Sequence, residues 1–113
     1  VAILAEAALR ALAEQANRTA HEKGWYENPD PVGVRIALMH SEASELLEHY
    51  RKGVEHQPCS KVPSITNAEE ELADLIIRVL DFSVAEGYDV GRAVVEKMAF
   101  NLTRPHKHGG KKF

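Results

Sequence analysis

Apolar residues recur with a helical period in four stretches of the chain. Residues 2–22 place Leu4, Ala8, Leu12 and Ala16 on one stripe, with Ala5, Leu9 and Ala11 close by, which predicts a first helix ended by Lys23-Gly24. Residues 25–31 are rich in the Asn, Asp and Pro that break helices and read as a loop, and Asp30-Pro31 has the form of an N-cap followed by a first-turn proline. The second helix is expected over residues 33–53, with Ile36, Met39, Ala43, Leu46 and Tyr50 facing the core and Gly53 as its stop.

Residues 54–65 lack periodicity and contain Pro58 and Pro63, so a flexible connection is expected there, of the kind often found beside a binding site. Thr66 and Glu69 form a capping-box signature for a third helix that runs to about residue 86 and turns Leu72, Ile76, Val79 and Phe82 or Ser83 inward. After Gly87, Asp89 can cap a fourth helix with Val90, Val94, Met98 and Leu102 inward, and Pro105 with Gly109-Gly110 marks an irregular tail. The expected fold class is all-α, a four-helix bundle in a single domain over residues 1–113, with no internal repeat and no low-complexity segment.

Composition sharpens this picture in three ways. With 113 residues, the chain buries a smaller share of its surface than a large domain, so self-association into a homodimer or homotetramer is expected to complete the core. A formal net charge of −3 argues against a domain that coats a nucleic-acid polymer. One cysteine, Cys59, excludes an internal disulfide, and neither a secretory signal nor an apolar run of about 20 residues is seen, so a cytoplasmic protein without membrane attachment is expected.

Charge is unevenly spread. Acid concentrates between Glu42 and Asp81, whereas residues 104–113 carry Arg104, His106, Lys107, His108, Lys111 and Lys112. This basic tail has two readings, closure over phosphates or a flexible end.

Glu42-Ala-Ser-Glu45 and Glu71-Leu-Ala-Asp74 each put two carboxylates one helical turn apart on one face. Both pairs border stripes that the periodicity assigns to the core. From pattern alone they are either solvated helix faces, which are common, or two halves of one site. If the second and third helices pack side by side, four carboxylates converge, and two charges about 4 Å apart repel by roughly 4 kcal/mol at an effective dielectric near 20. A cation must then offset the repulsion, and oxygen-only donors suit hard Mg²⁺, with Mn²⁺ as a substitute.

Other residues carry weaker chemistry. Lys97, Asn101 and Arg104 recur at i, i+4 and i+7 on one face, where the cations can neutralise an anion or simply form surface. Trp25, the single tryptophan, is placed to stack on a nucleobase or to pack as a lid or subunit contact. Asn17 and His21, one turn apart, read either as base-edge contacts or as solvated helix surface. His40, His49 and His56 form no zinc spacing, and Cys59 has no neighbouring base, so neither structural zinc nor thiol catalysis is expected.

Taken together, Lys23-Gly24-Trp25, His40-Ser41-Glu42-Ala43-Ser44-Glu45, Glu71-Leu72-Ala73-Asp74 with Arg78 and Asp81, and the spaced Lys97, Asn101 and Arg104 resemble the MazG-like all-α nucleotide pyrophosphohydrolases. The likeness runs from about His21 to the end of the chain. It implies a MazG-like bundle completed by dimerisation, with Glu42, Glu45, Glu71 and Asp74 holding Mg²⁺ and Lys97, Asn101 and Arg104 contacting phosphate or ribose. It further implies hydrolysis of a nucleoside triphosphate to its monophosphate and pyrophosphate, with Glu45 as the candidate base, in the clearing of non-standard or surplus nucleotides. Alternatives are a pyrimidine-selective dUTP or dCTP pyrophosphatase, a phosphoribosyl-ATP pyrophosphohydrolase, and a helical nucleotide-binding or interaction module without turnover. A di-iron carboxylate bundle is disfavoured because no Glu-x-x-His is present.

Overall fold

The structure, a computed structural model, describes residues 1–106 and 112. The expectations for Lys107, His108, Gly109, Gly110 and Lys111 of the tail lie outside the described residues. Four helices and no strand are found among the described residues: α1 (Ala2–Glu22), α2 (Val32–Lys52), α3 (Asn67–Ala85) and α4 (Val90–Leu102). No helix among them is long and apolar enough to cross a membrane.

The local signals act largely as their chemistry requires. Thr66 accepts from the Glu69 N–H, while the Glu69 side chain accepts from the Thr66 N–H, so a reciprocal capping box opens α3. Asp89 accepts from the Arg92 N–H at the start of α4 and also receives the Arg10 guanidinium from α1. Gly53 ends α2 at φ 69°, in the left-handed region that favours glycine. The start of α2 differs from expectation: Pro31 holds the N-cap position without a side-chain cap, and Arg35 donates to the Asp30 carbonyl.

α3 is the central element. It packs on α1 along one side and on α2 along the other, whereas α4 packs on α1. Gly91 is buried at the α1–α4 crossing, where a Cβ would lie 3.0 Å from the Glu6 carbonyl oxygen and 3.1 Å from the Leu9 Cβ. The link between α2 and α3 is not the flexible connection that its prolines suggest. The Cys59 N–H donates to the Ile65 carbonyl at 2.8 Å, the Asn67 and Ala68 N–H groups donate to Gln57 and Glu55, and Cys59 is 1% exposed. Backbone pairing, invisible to side-chain periodicity, orders this loop.

The core of the single chain is thin. Ala13, Cys59, Ala68 and Leu80 are its buried apolar residues, whereas Leu4, Leu12, Ile36, Tyr50, Leu72, Ile76, Val94, Met98 and Leu102, all expected inward, are exposed. The accessible surface of 8648 Å² exceeds the roughly 6,200 Å² typical of a folded monomer of this mass. The radius of gyration of 16.7 Å likewise exceeds the approximately 13 Å of a compact domain of this length. The inward placement read from helical phase is therefore not met within the single chain: these apolar residues face outward, while α3 buries Ala68, Glu71, Leu80 and Ser83.

Candidate metal and phosphate site

α2 and α3 lie side by side, and their packing brings Glu42, Glu45 and Glu71 together. One oxygen from each lies within 4.8 Å of the others. Glu42 is 6% exposed and Glu71 is 7% exposed, while Glu45 is open to solvent. Asp74 lines the same cavity one turn further along α3 but lies outside this tight triad.

Two side chains hold the buried carboxylates. Arg78 Nε donates to Glu42 Oε1 at 2.9 Å, and His49 Nε2 lies 2.8 Å from Glu71 Oε2. Glu42 Oε2 is buried and has no hydrogen-bond partner. An unpartnered buried carboxylate oxygen carries a desolvation cost that a cation would remove.

The crowding raises proton affinity. The Glu45 carboxyl is pushed up to about 7, first by the Glu42 side chain beside it, then by burial and by the negative charges of Glu42 and Glu71. Burial raises Asp74 first, with repulsion from Glu42, Glu70 and Glu71 adding to it and Lys61 opposing it. Two acids with raised proton affinity beside shielded carboxylates describe a site with excess negative charge.

The acids line a cavity of about 880 Å³ whose walls come from α1, α2 and α3. Leu12, Trp25, Ile76 and Ile77 give it an apolar side, and Gln15, Thr19 and Lys23 contribute polar groups from α1. A polyanion with a flat apolar group matches this division.

The remaining sequence candidates are distributed differently. Trp25 lines the cavity as expected. Asn17 and His21 do not: Asn17 Nδ2 donates to Asp81 Oδ1 at 3.0 Å, and the His21 ring stacks on Tyr26 with centroids 4.3 Å apart. Tyr26 also donates to Asp81 Oδ1, at 2.9 Å, so these groups tie α1 and the Trp25 loop to α3. Lys97, Asn101 and Arg104 lie on or just beyond α4 and do not line the cavity of their own chain. Lys97 Nζ instead sits 4.7 Å from the Phe100 ring centroid.

His49 entered the sequence analysis only as a failed zinc ligand. A usable signal existed: Glu42, Glu45 and His49 follow at i, i+3 and i+7, one face of α2. Arg78 and Asp81 continue the face of Glu71 and Asp74 in the same way along α3. Gln15, Thr19 and Lys23 carried no distinguishing signal, since polar residues near the end of a helix are ordinary. Comparison with known protein families, curated proteins and solved structures finds no match for this chain.

Proposed function

We propose that this chain is a Mg²⁺-dependent nucleoside triphosphate pyrophosphohydrolase that releases a nucleoside monophosphate and pyrophosphate. The observation that carries this reading is the acidic triad lining a cavity that also has apolar walls, with Glu42 Oε2 buried and unpartnered. The resemblance of the motif set to MazG-like enzymes, which rests partly on the same acids, agrees with it.

The donor set fits the cation. Glu42, Glu45 and Glu71 offer only oxygen, and Mg²⁺ favours a few carboxylates completed by water and substrate phosphates, with Mn²⁺ as a substitute. When bound, the ion supplies positive charge to the polyphosphate and acidifies water. Asp74 extends the same oxygen lining toward a second phosphate or ion.

Glu45 is the general base in this scheme. It is the accessible member of the triad, the one that a water beside the polyphosphate can reach. Water adds to one phosphorus of the α–β anhydride, Glu45 accepts the water proton, and the bridging oxygen departs with the other phosphate. His49 fixes Glu71 in orientation through its ring nitrogen. Trp25, Leu12, Ile76 and Ile77 shelter the base, with Gln15, Thr19 and Lys23 available for polar edges.

A second copy completes the assembly. The excess surface, the large radius of gyration and the outward apolar faces of α1, α3 and α4 favour a homodimer or homotetramer. Lys97, Asn101 and Arg104, separated from the acids of their own chain, then meet phosphate across the subunit interface. Clearing of unwanted nucleotides in the cytoplasm is the corresponding cellular role.

The test is pyrophosphate release from a panel of ribo- and deoxyribonucleoside triphosphates and phosphoribosyl-ATP, with Mg²⁺ and with chelator. The expected result is Mg²⁺-dependent formation of monophosphate and pyrophosphate in equal amounts. Absence of release across the panel, or equal release in chelator, sinks the assignment. The ranking of substrates separates a broad enzyme from a pyrimidine-selective or phosphoribosyl-ATP enzyme.

A further inference from the structure

Arg78 occupies an unusual place among the cations near the triad. Its Nε donates to Glu42, yet its two terminal nitrogens make no hydrogen bond among the described residues. The side chain is 32% exposed while the Glu42 side chain is 8% exposed, so a partly exposed cation covers a shut-in anion. Arg78 also borders both the large cavity and a smaller recess formed with Trp25, Tyr26, Arg35 and Phe82, which leaves space on two sides of the guanidinium.

We propose that Arg78 is the resident counter-cation of the acidic cluster, holding Glu42 in the ion-free protein until a divalent cation displaces it to become a ligand for the substrate's phosphate oxygens. This inference rests on the cation site proposed above. A guanidinium remains charged throughout the physiological range, so it cannot make way for a second cation by losing a proton. It has to move, and its unused donor fork matches a phosphate in geometry and charge. Glu42 then exchanges one positive partner for another and is never left buried without one. The polyphosphate that arrives with the ion receives the released charge, so ion and anion binding assist each other through one side chain.

The experiment measures Mn²⁺ binding by electron paramagnetic resonance in wild type and Arg78→Gln, without nucleotide, and then pyrophosphate binding in the presence of Mn²⁺. Competition predicts that Arg78→Gln binds Mn²⁺ alone more tightly, by about 5- to 150-fold, the usual span of a coupling between two ligands. It also predicts pyrophosphate binding weaker by about tenfold or more, the loss expected for a charged hydrogen bond. Unchanged or weaker Mn²⁺ binding overturns the proposal, as does unchanged pyrophosphate binding.

A measurement on the wild type stands even if the variant folds poorly. The Arg78 Nε–H resonance, assigned by its absence in Arg78→Lys, should shift on addition of Mg²⁺ alone, and an unmoved resonance in Mg²⁺-saturated protein overturns the displacement. Failure of both wild type and variant to bind Mn²⁺ removes the cation site and the hydrolase reading with it. Binding and hydrolysis by wild type, with no gain of Mn²⁺ affinity in the variant, removes the Arg78 inference alone.

Discussion

The seam between α2 and α3 and the outer surface of α4 make opposite use of charged and apolar groups. At the seam, carboxylates are buried and held by Arg78 and His49, beside an ordered loop that shuts Cys59 away from water. On α4, Val94, Met98, Phe100 and Leu102 are exposed, and Lys97 lies over Phe100 of its own helix. Burying charge while exposing hydrocarbon reverses the usual economy of a soluble fold. On the function proposed above, the seam would carry its unfavourable charge for chemistry and α4 its apolar surface for another chain.

The largest expected effect lies at the seam. Glu45→Gln and Asp74→Asn should each lower turnover by about a thousandfold or more, on the scale of removing a group that stabilises transition-state charge. Helical circular dichroism should stay intact, because neither side chain has a hydrogen-bonded partner whose loss would expose a buried charge. Turnover within a few-fold of wild type in both variants would dissolve the distinction between a chemical seam and an assembling arm.

A smaller effect is expected on α4. Met98→Glu adds charge to its apolar outer surface and should shift the chain from oligomer to monomer at a given concentration, measured by sedimentation velocity. Since Met98 is exposed in the single chain, the variant monomer should keep its helical content. Unaltered assembly in this variant places the subunit contact elsewhere.

The smallest effect is a pH dependence of the ion-free protein. Glu45 and Asp74 bind protons more tightly folded than unfolded, so stability should fall as pH rises from about 4.5 to about 7, the window between the ordinary and raised values of Glu45. Asp89 and Glu69 are lowered by their Arg10 and Thr66 partners, so their contribution is lost as pH falls below the ordinary carboxylate range, outside that window. Thermal melts in chelator at pH 5 and pH 7.5 check the sign, and Mg²⁺ should restore stability at the higher pH. A melting temperature that rises over this interval without ion would show that the acids do not oppose one another.

The sequence exposed these regions unequally. The helices and the capping box at Thr66 follow from period and spacing, because local patterns determine them, whereas the meeting of Glu42 and Glu45 with Glu71 follows only once α2 and α3 pack side by side. The inward placement of Leu12, Ile76 and Met98 is not seen within one chain, since amphipathicity marks an apolar face without saying whose surface covers it. Asn17 shows the same limit at finer scale: its amide faces Asp81, a partner 64 positions away that no local pattern reveals. Gln15 and Thr19, on the cavity side of the same helix, differ from Asn17 only in rotation about the axis.

The Gly91 crossing gives the α4 arm a mechanical property. With space for only a hydrogen between α4 and the Glu6 carbonyl, the helix is seated at its root as closely as two backbones permit. Asn101 stands about 15 Å further along the axis, so a change of tilt too slight to disturb the root is magnified by leverage at the far end. Tolerance for error in the positions of Lys97 and Asn101 is therefore set by the smallest side chain on the helix.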